Sequence, residues 1–148
     1  MDRLIDRADW QEFARPGFGI RFRYPAVTPR GQTVDRAEDQ RGDAERVHLT
    51  TPDQPDLYFE VTRFPDLAPR DEYRRHRDHL EQRFGAGSTI ELTETRLGRW
   101  PAWAYAFRWD RGERSVLLLP VSQDTYRIIY DPRSPLNAEV LATITVVE

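Results

Sequence analysis

The sequence predicts an α+β domain: one antiparallel sheet of about six to seven strands flanked by helices, an α/β/α sandwich. Three observations carry that expectation. Several runs alternate apolar and polar residues with period two, the pattern of strands with one buried face. Short turns, not helices, separate these runs, which makes the neighbouring strands antiparallel. Only two stretches carry helical signals, too few for the regular alternation of a doubly wound α/β fold.

The first strand places Phe18, Ile20, Phe22 and Tyr24 on one face, with Arg21 and Arg23 on the other. Pro16-Gly17 turns the chain before it, and Pro25 and Pro29 end it. Residues 28–45 are polar, charged and glycine-containing, and read as a long surface loop. Residues 47–50 make a short strand and residues 51–56 a turn rich in Pro and Asp. Residues 57–64 form a strand with Leu57, Phe59 and Val61 on one face and Tyr58, Glu60 and Thr62 on the other.

The period then changes. Pro69 suits a helix start, and Asp71 and Glu72 fall in the first turn, where the helix dipole favours acids. Tyr73, Leu80 and Phe84 recur at helical spacing as one apolar stripe on a polar helix, predicted over residues 70–84. Gly85 and Gly87 stop it.

The remainder predicts a meander of strands over residues 89–95, 102–109, 114–121 and 125–130, with turns at Gly98-Arg99, residues 110–113 and Gln123-Asp124. Residues 131–135 break the last of these. Ser134 as N-cap and Pro135 at the first helical position predict a short helix over residues 135–142. Residues 143–147 are β-branched and read as extended.

Composition narrows the functional classes. A chain of 148 residues makes a single domain, 1–148, and its 11% aromatic content supplies burial that a disordered tail lacks. The net charge of -3 argues against a nucleic-acid partner, which calls for a basic face. The sequence contains no Lys, so all 22 basic residues are Arg; a coding bias explains this ahead of a functional arginine array. With no cysteine, disulfides, thiolate metal sites and a cysteine nucleophile are excluded. No window approaches the roughly 20 apolar residues of a membrane span. Residues 1–7 carry no apolar leader segment, so with Met1 as the native start the expected location is cytoplasmic.

The run Gly17-Phe18-Gly19-Ile20-Arg21-Phe22-Arg23-Tyr24-Pro25 resembles the first strand of PsbP-like domains, an aromatic alternation closed by Tyr-Pro. The order of elements is similar too: early strands, one helix, a meander marked here by Leu97-Gly98-Arg99-Trp100-Pro101-Ala102, and a short last helix. The family includes photosystem II PsbP subunits, a Ran-binding nuclear import factor and bacterial relatives. The resemblance implies an antiparallel sheet between helices and a binding or assembly role, and it carries no catalytic residues onto this chain. The sequence departs from the family where relatives often carry a Trp after Tyr-Pro, since Ala26, Val27 and Thr28 follow here.

Two constellations stand out as possible sites. Trp103, Tyr105, Phe107 and Trp109 share one strand face, with Ala102, Ala104 and Ala106 on the other. Such alternation reports core packing. Its functional reading is an aromatic surface for a partner or an aromatic-lined ligand pocket. Small alanines invite a close helix, so the long helix is expected on the alanine face, leaving the Trp103 face partly exposed.

Glu72, His76 and His79 lie along one flank of the long helix with Arg83, and are weak metal candidates. Two or three ligands from one helix rarely close a site, so a solvated flank with no metal is expected. Ser88, Ser115, Ser122 and Ser134 stand in no nucleophile motif, and neither a GxGxxG nor a P-loop is present. No catalytic residue and no cofactor is assigned.

The first functional reading is a non-enzymatic binding or assembly module, chaperone-like, for a protein partner. Its contacts would be the aromatic face and residues 28–45. The alternative is a small-molecule-binding protein or weak enzyme with a pocket lined by Trp103, Tyr105 and Trp109. A flat exposed patch favours the first, and a concave site with convergent polar groups favours the second.

Overall fold

The computed structural model describes residues 9–52 and 56–147. Residues 1–8, the turn residues 53–55 and residue 148 lie outside the described residues. The elements are β1 (Gln11–Phe13), β2 (Ile20–Tyr24), β3 (Asp35–Arg41), β4 (Ala44–Thr50), β5 (Tyr58–Phe64), α1 (Pro69–Phe84), β6 (Thr89–Leu97), β7 (Trp100–Trp109), β8 (Gly112–Val121), β9 (Asp124–Tyr130), α2 (Pro135–Leu141) and β10 (Thr145–Val146).

Seven strands form one antiparallel sheet in the order β3-β4-β5-β9-β8-β7-β6. It joins two meanders, β3–β5 and β6–β9, side by side. A small sheet, β1-β2-β10, pairs Phe13 with Phe22 and Val146 with Ile20. The fold is α+β, as the period-two runs predict.

The small sheet and α2 cover one face of the large sheet. There Val47, Leu49, Phe59, Val61, Leu119 and Ile128 meet Phe13, Phe18, Phe22, Leu136 and Val140, all within 5% of full burial. Apolar strand periodicity of this kind is what one buried face demands. Ala102 and Ala104 face this core. They lie in the core shared with the small sheet and α2, on the side away from the long helix.

The long helix lies on the opposite face, against the aromatic strand. Tyr73 meets Tyr105 edge-on at 4.9 Å, Phe84 stacks on Phe107 at 6.3 Å, and the Arg70 guanidinium lies 5.9 Å from the Trp103 ring. The expected placement on the alanine face is therefore corrected. The reason lies in bulk. α1 brings only a narrow apolar stripe, so the sheet supplies the large side chains that fill their interface.

Residues 28–45 are also not a loop throughout. They include β3 and the start of β4, joined at Arg41–Ala44 by a two-residue turn with Gly42 at φ +58°. All seven β3 residues are exposed, so no apolar period marks the strand. Its charges blunt the sheet edge, and Arg46 grips Asp39 across the pair at 2.6 Å. Ser134 caps α2 by position, but its hydroxyl donates to the Asp56 carbonyl at 2.6 Å and not to the helix.

Candidate functional site

Among the described residues, the topology leaves part of one sheet face without a helix over it. α1 starts beside the end of β5, in the middle of the sheet, and delivers the chain to β6 at its far edge. It therefore packs over β6, β7 and β8, and among the described residues no helix lies over the β3-β4-β5 wing on this face, α2 being on the other. Between helix and wing runs a cleft of about 520 Å³.

The lining comes from five elements. Asp39, Arg41 and Arg46 stand on the wing, Glu60 and Thr62 on β5, Arg127 on β9, and Arg75 and His79 on α1. Phe64, Pro65 and Leu67 make one apolar end. Antiparallel pairing places Asp39, Arg46, Thr62 and Arg127 in one transverse row, because each is the register partner of the next. Paired residues share a face.

Behind the cleft lies a charged network. Glu72 is fully buried; its Oε1 accepts from Arg75 at 2.6 Å and its Oε2 from Arg127 at 2.8 Å. Arg127 also lies 3.6 Å from Glu60. The Arg75 and Arg127 guanidiniums lie 4.7 and 5.1 Å from the Phe64 ring centre. A buried carboxylate needs such partners, since desolvation without them is prohibitive.

Tyr58 donates to Glu60 Oε2 at 3.1 Å. Burial first, and then the Glu60 charge, push the Tyr58 hydroxyl up to about 12. The His48 ring meets Tyr58 edge-on at 4.9 Å, and burial holds the His48 pKa below its ordinary value. Arg114 is sandwiched between Tyr58 and Trp109, 3.3 and 4.2 Å from their ring centres. Burial lowers its pKa, opposed by Tyr58 and Asp131.

The residues singled out in the sequence part company here. Trp103 and Trp109 are half-buried, while Tyr105 and Phe107 are buried beneath α1. The four do not form an open partner surface, because the helix occupies their face. Tyr105 shares a 2.5 Å hydrogen bond with His76 Nδ1.

Of the flank expected to be solvated, Glu72 and His76 are buried, and His79 is exposed as expected. Glu72 is held by two guanidiniums, His76 by Tyr105, and His79 looks into the cleft. The three are not brought to one point, and among the described residues no group of three or more His, Asp or Glu could hold a metal ion. No described helix is long and apolar enough to cross a membrane.

Sequence reading missed Arg46, Glu60, Thr62 and Arg127 as a site. A faint signal existed: Glu60 and Thr62 are polar residues that alternate with the apolar Phe59 and Val61 along one strand. Their convergence with Arg46 and Arg127 depends on β4 pairing with β5, and on β9 pairing with β5 across 61 or more residues of chain.

No protein-family model matches the chain, and no curated protein matches it. The fold is similar to that of a crystal structure of a protein from Bacteroides thetaiotaomicron, with a TM-score of 0.53 and 15% identity. The match covers 95% of this chain and 49% of that one, so the chain spans about half the length of that structure. At this identity the likeness is one of fold.

Proposed function

We propose that the protein is a non-enzymatic binding domain that takes a small molecule bearing a polar group in the cleft between α1 and the β3-β4-β5 wing. One observation carries the reading. The aromatic face is closed by the helix, whereas a concave site with convergent polar groups opens beside it. Its volume falls in the range of small-molecule sites, about 300–1,000 Å³. The titratable groups nearby are engaged structurally: His76 with Tyr105, and Glu60 with Tyr58 and Arg127. Membership of the PsbP-like family is part of this proposal. The Tyr24-Pro25 close of β2 and the order of elements support it.

The test fills the cleft. Ala44 lines it and is half-buried, so Ala44→Trp adds bulk without removing core contacts. A thermal-shift screen of small molecules sorted by charge should yield saturable hits that Ala44→Trp abolishes. Hits that persist in a folded Ala44→Trp protein, or a screen in which no compound binds, would overturn the reading.

A second reading keeps the protein partner. It rests on β3, a sheet-edge strand exposed along its whole length, whose outer backbone groups are open to strand addition. It requires a captured protein that an Ala37→Pro variant loses.

A further inference from the structure

We infer that the cleft selects a monocarboxylic acid with an apolar body, its carboxylate seated over Thr62 between Arg46 and Arg127. The inference rests on the cleft being the binding site and names what that site takes.

The transverse row supplies the geometry. Arg46 and Arg127 flank Thr62 from β4 and β9, two strand spacings apart, or about 10 Å between Cα atoms. That gap lets two long side chains straddle one planar anion. Each arginine is braced by an acid, and Arg127 also by Glu60, two residues from Thr62 on β5. Asp39 accepts from Arg46 Nε and Nη2 at 3.2 and 2.6 Å, and Glu72 accepts from Arg127 Nη1 at 2.8 Å. Bracing of this kind fixes guanidinium orientation before a ligand arrives and reduces the entropy lost on binding. Arg127 Nε is buried and lacks a hydrogen-bond partner, an unusual state for a guanidinium donor.

Charge and shape then choose among anions. Asp39, Asp43 and Glu60 also line the cleft, so a phosphate dianion meets more repulsion than a single carboxylate. Phosphate sites draw on backbone N–H groups at helix N-termini, whereas the α1 N-terminus carries Asp71 and Glu72. A guanidinium fork matches the planar carboxylate. Beyond the arginines, Phe64, Pro65 and Leu67 offer an apolar wall for the rest of the molecule. Arg75 and His79 close the helix side.

The experiment uses the whole chain and a probe series: straight-chain carboxylates from butyrate to decanoate, together with phenylacetate. Phenylacetamide and phenyl phosphate are the matched neutral and phosphoryl controls. Binding is read by calorimetry and by the Arg Nε–H resonances in NMR. Carboxylates of the series should bind saturably, shift the Arg127 Nε–H resonance, and fail as the amide or phosphate. Arg46→Gln, at a partly exposed arginine, should weaken them about tenfold or more while the protein stays folded. Thr62→Val gives a second variant with the same expected direction.

Equal binding of phenyl phosphate or phenylacetamide, lost in Ala44→Trp, would overturn the carboxylate assignment and leave the cleft reading standing. Carboxylate binding that ignores Ala44→Trp, Arg46→Gln and Thr62→Val would overturn both. Failure of every carboxylate in the series to bind overturns the inference.

Discussion

His76 Nδ1 and the Tyr105 hydroxyl lie 2.5 Å apart inside the interface between α1 and β7. The pair is ringed by aromatics, with Phe107 edge-on to His76 at 5.8 Å and Tyr73 edge-on to Tyr105 at 4.9 Å. Burial raises the Tyr105 pKa and, with nearby Arg127, His79 and Arg75, lowers that of His76 to about 2, so both groups are neutral at pH 7. Tyr105→Phe removes the hydroxyl and leaves a buried ring nitrogen without its partner. The expected loss is about 1–3 kcal/mol. Replacing both partners, as His76→Phe with Tyr105→Phe, should cost less than the sum of the two single changes. Urea titrations of the four proteins check this; strict additivity would mean that the hydrogen bond contributes nothing.

The same histidine makes stability depend on pH. Folded, His76 stays neutral down to about pH 2. Unfolded, it takes up a proton near its ordinary value of 6.5, so between these limits the unfolded chain binds more protons. Its contribution is complete above pH 6.5 and falls as pH drops, by at most about 1.4 kcal/mol per pH unit. His48, also lowered by burial, adds the same sign. Unfolding free energy should therefore fall between pH 7.5 and 5, and His76→Phe should make that slope shallower. An unchanged slope in the variant would remove His76 as its source.

Glu72 connects an exposed arginine to a half-buried one. Glu72→Gln keeps the shape but deletes the charge shared by Arg75 and Arg127. The expected cost is about 2–3 kcal/mol, below that of breaking a wholly buried pair, because Arg127 keeps Glu60. Arg75→Gln, whose side chain is 59% exposed, should cost less than about 1 kcal/mol. Equal losses for the two variants would show that the network does not centre on Glu72.

Particular residues show how much of this was legible. Phe18, Ile20, Phe22 and Tyr24 announced a half-buried strand, and Pro69, Asp71 and Gly85 bracketed the helix to within a residue, because these signals are local. The β3 strand was silent, since an edge exposed on both faces has no hydrophobic period. The alanines of β7 pointed the wrong way: small residues admit any close neighbour, and here they face the core under the small sheet while the helix packs on the aromatic side. The cleft was hidden for a further reason. Arg46 and Arg127 look alike with every other arginine in the composition until the β4-β5-β9 register sets them on either side of Thr62.

A last prediction concerns the contact between the two sheets. Gly19 adopts φ +95°, a conformation that L side chains rarely take, and a Cβ placed there would collide with the Tyr126 hydroxyl. That hydroxyl donates to the neighbouring Phe18 carbonyl, while Phe18 packs edge-on against the Tyr126 ring at 5.7 Å. The glycine thus lets the start of β2 approach β9 closely enough for the tyrosine to reach the backbone. Gly19→Ala combines backbone strain of about 1–3 kcal/mol with the collision, so a loss above about 3 kcal/mol is expected. Tyr126→Phe alone should cost about 1 kcal/mol for its hydrogen bond. In the double variant the collision is gone but the strain remains, so its loss should fall below the sum of the single changes. Calorimetric melts of the three variants measure this. A double variant as destabilised as that sum would mean that the glycine serves the turn alone and not the approach of Tyr126.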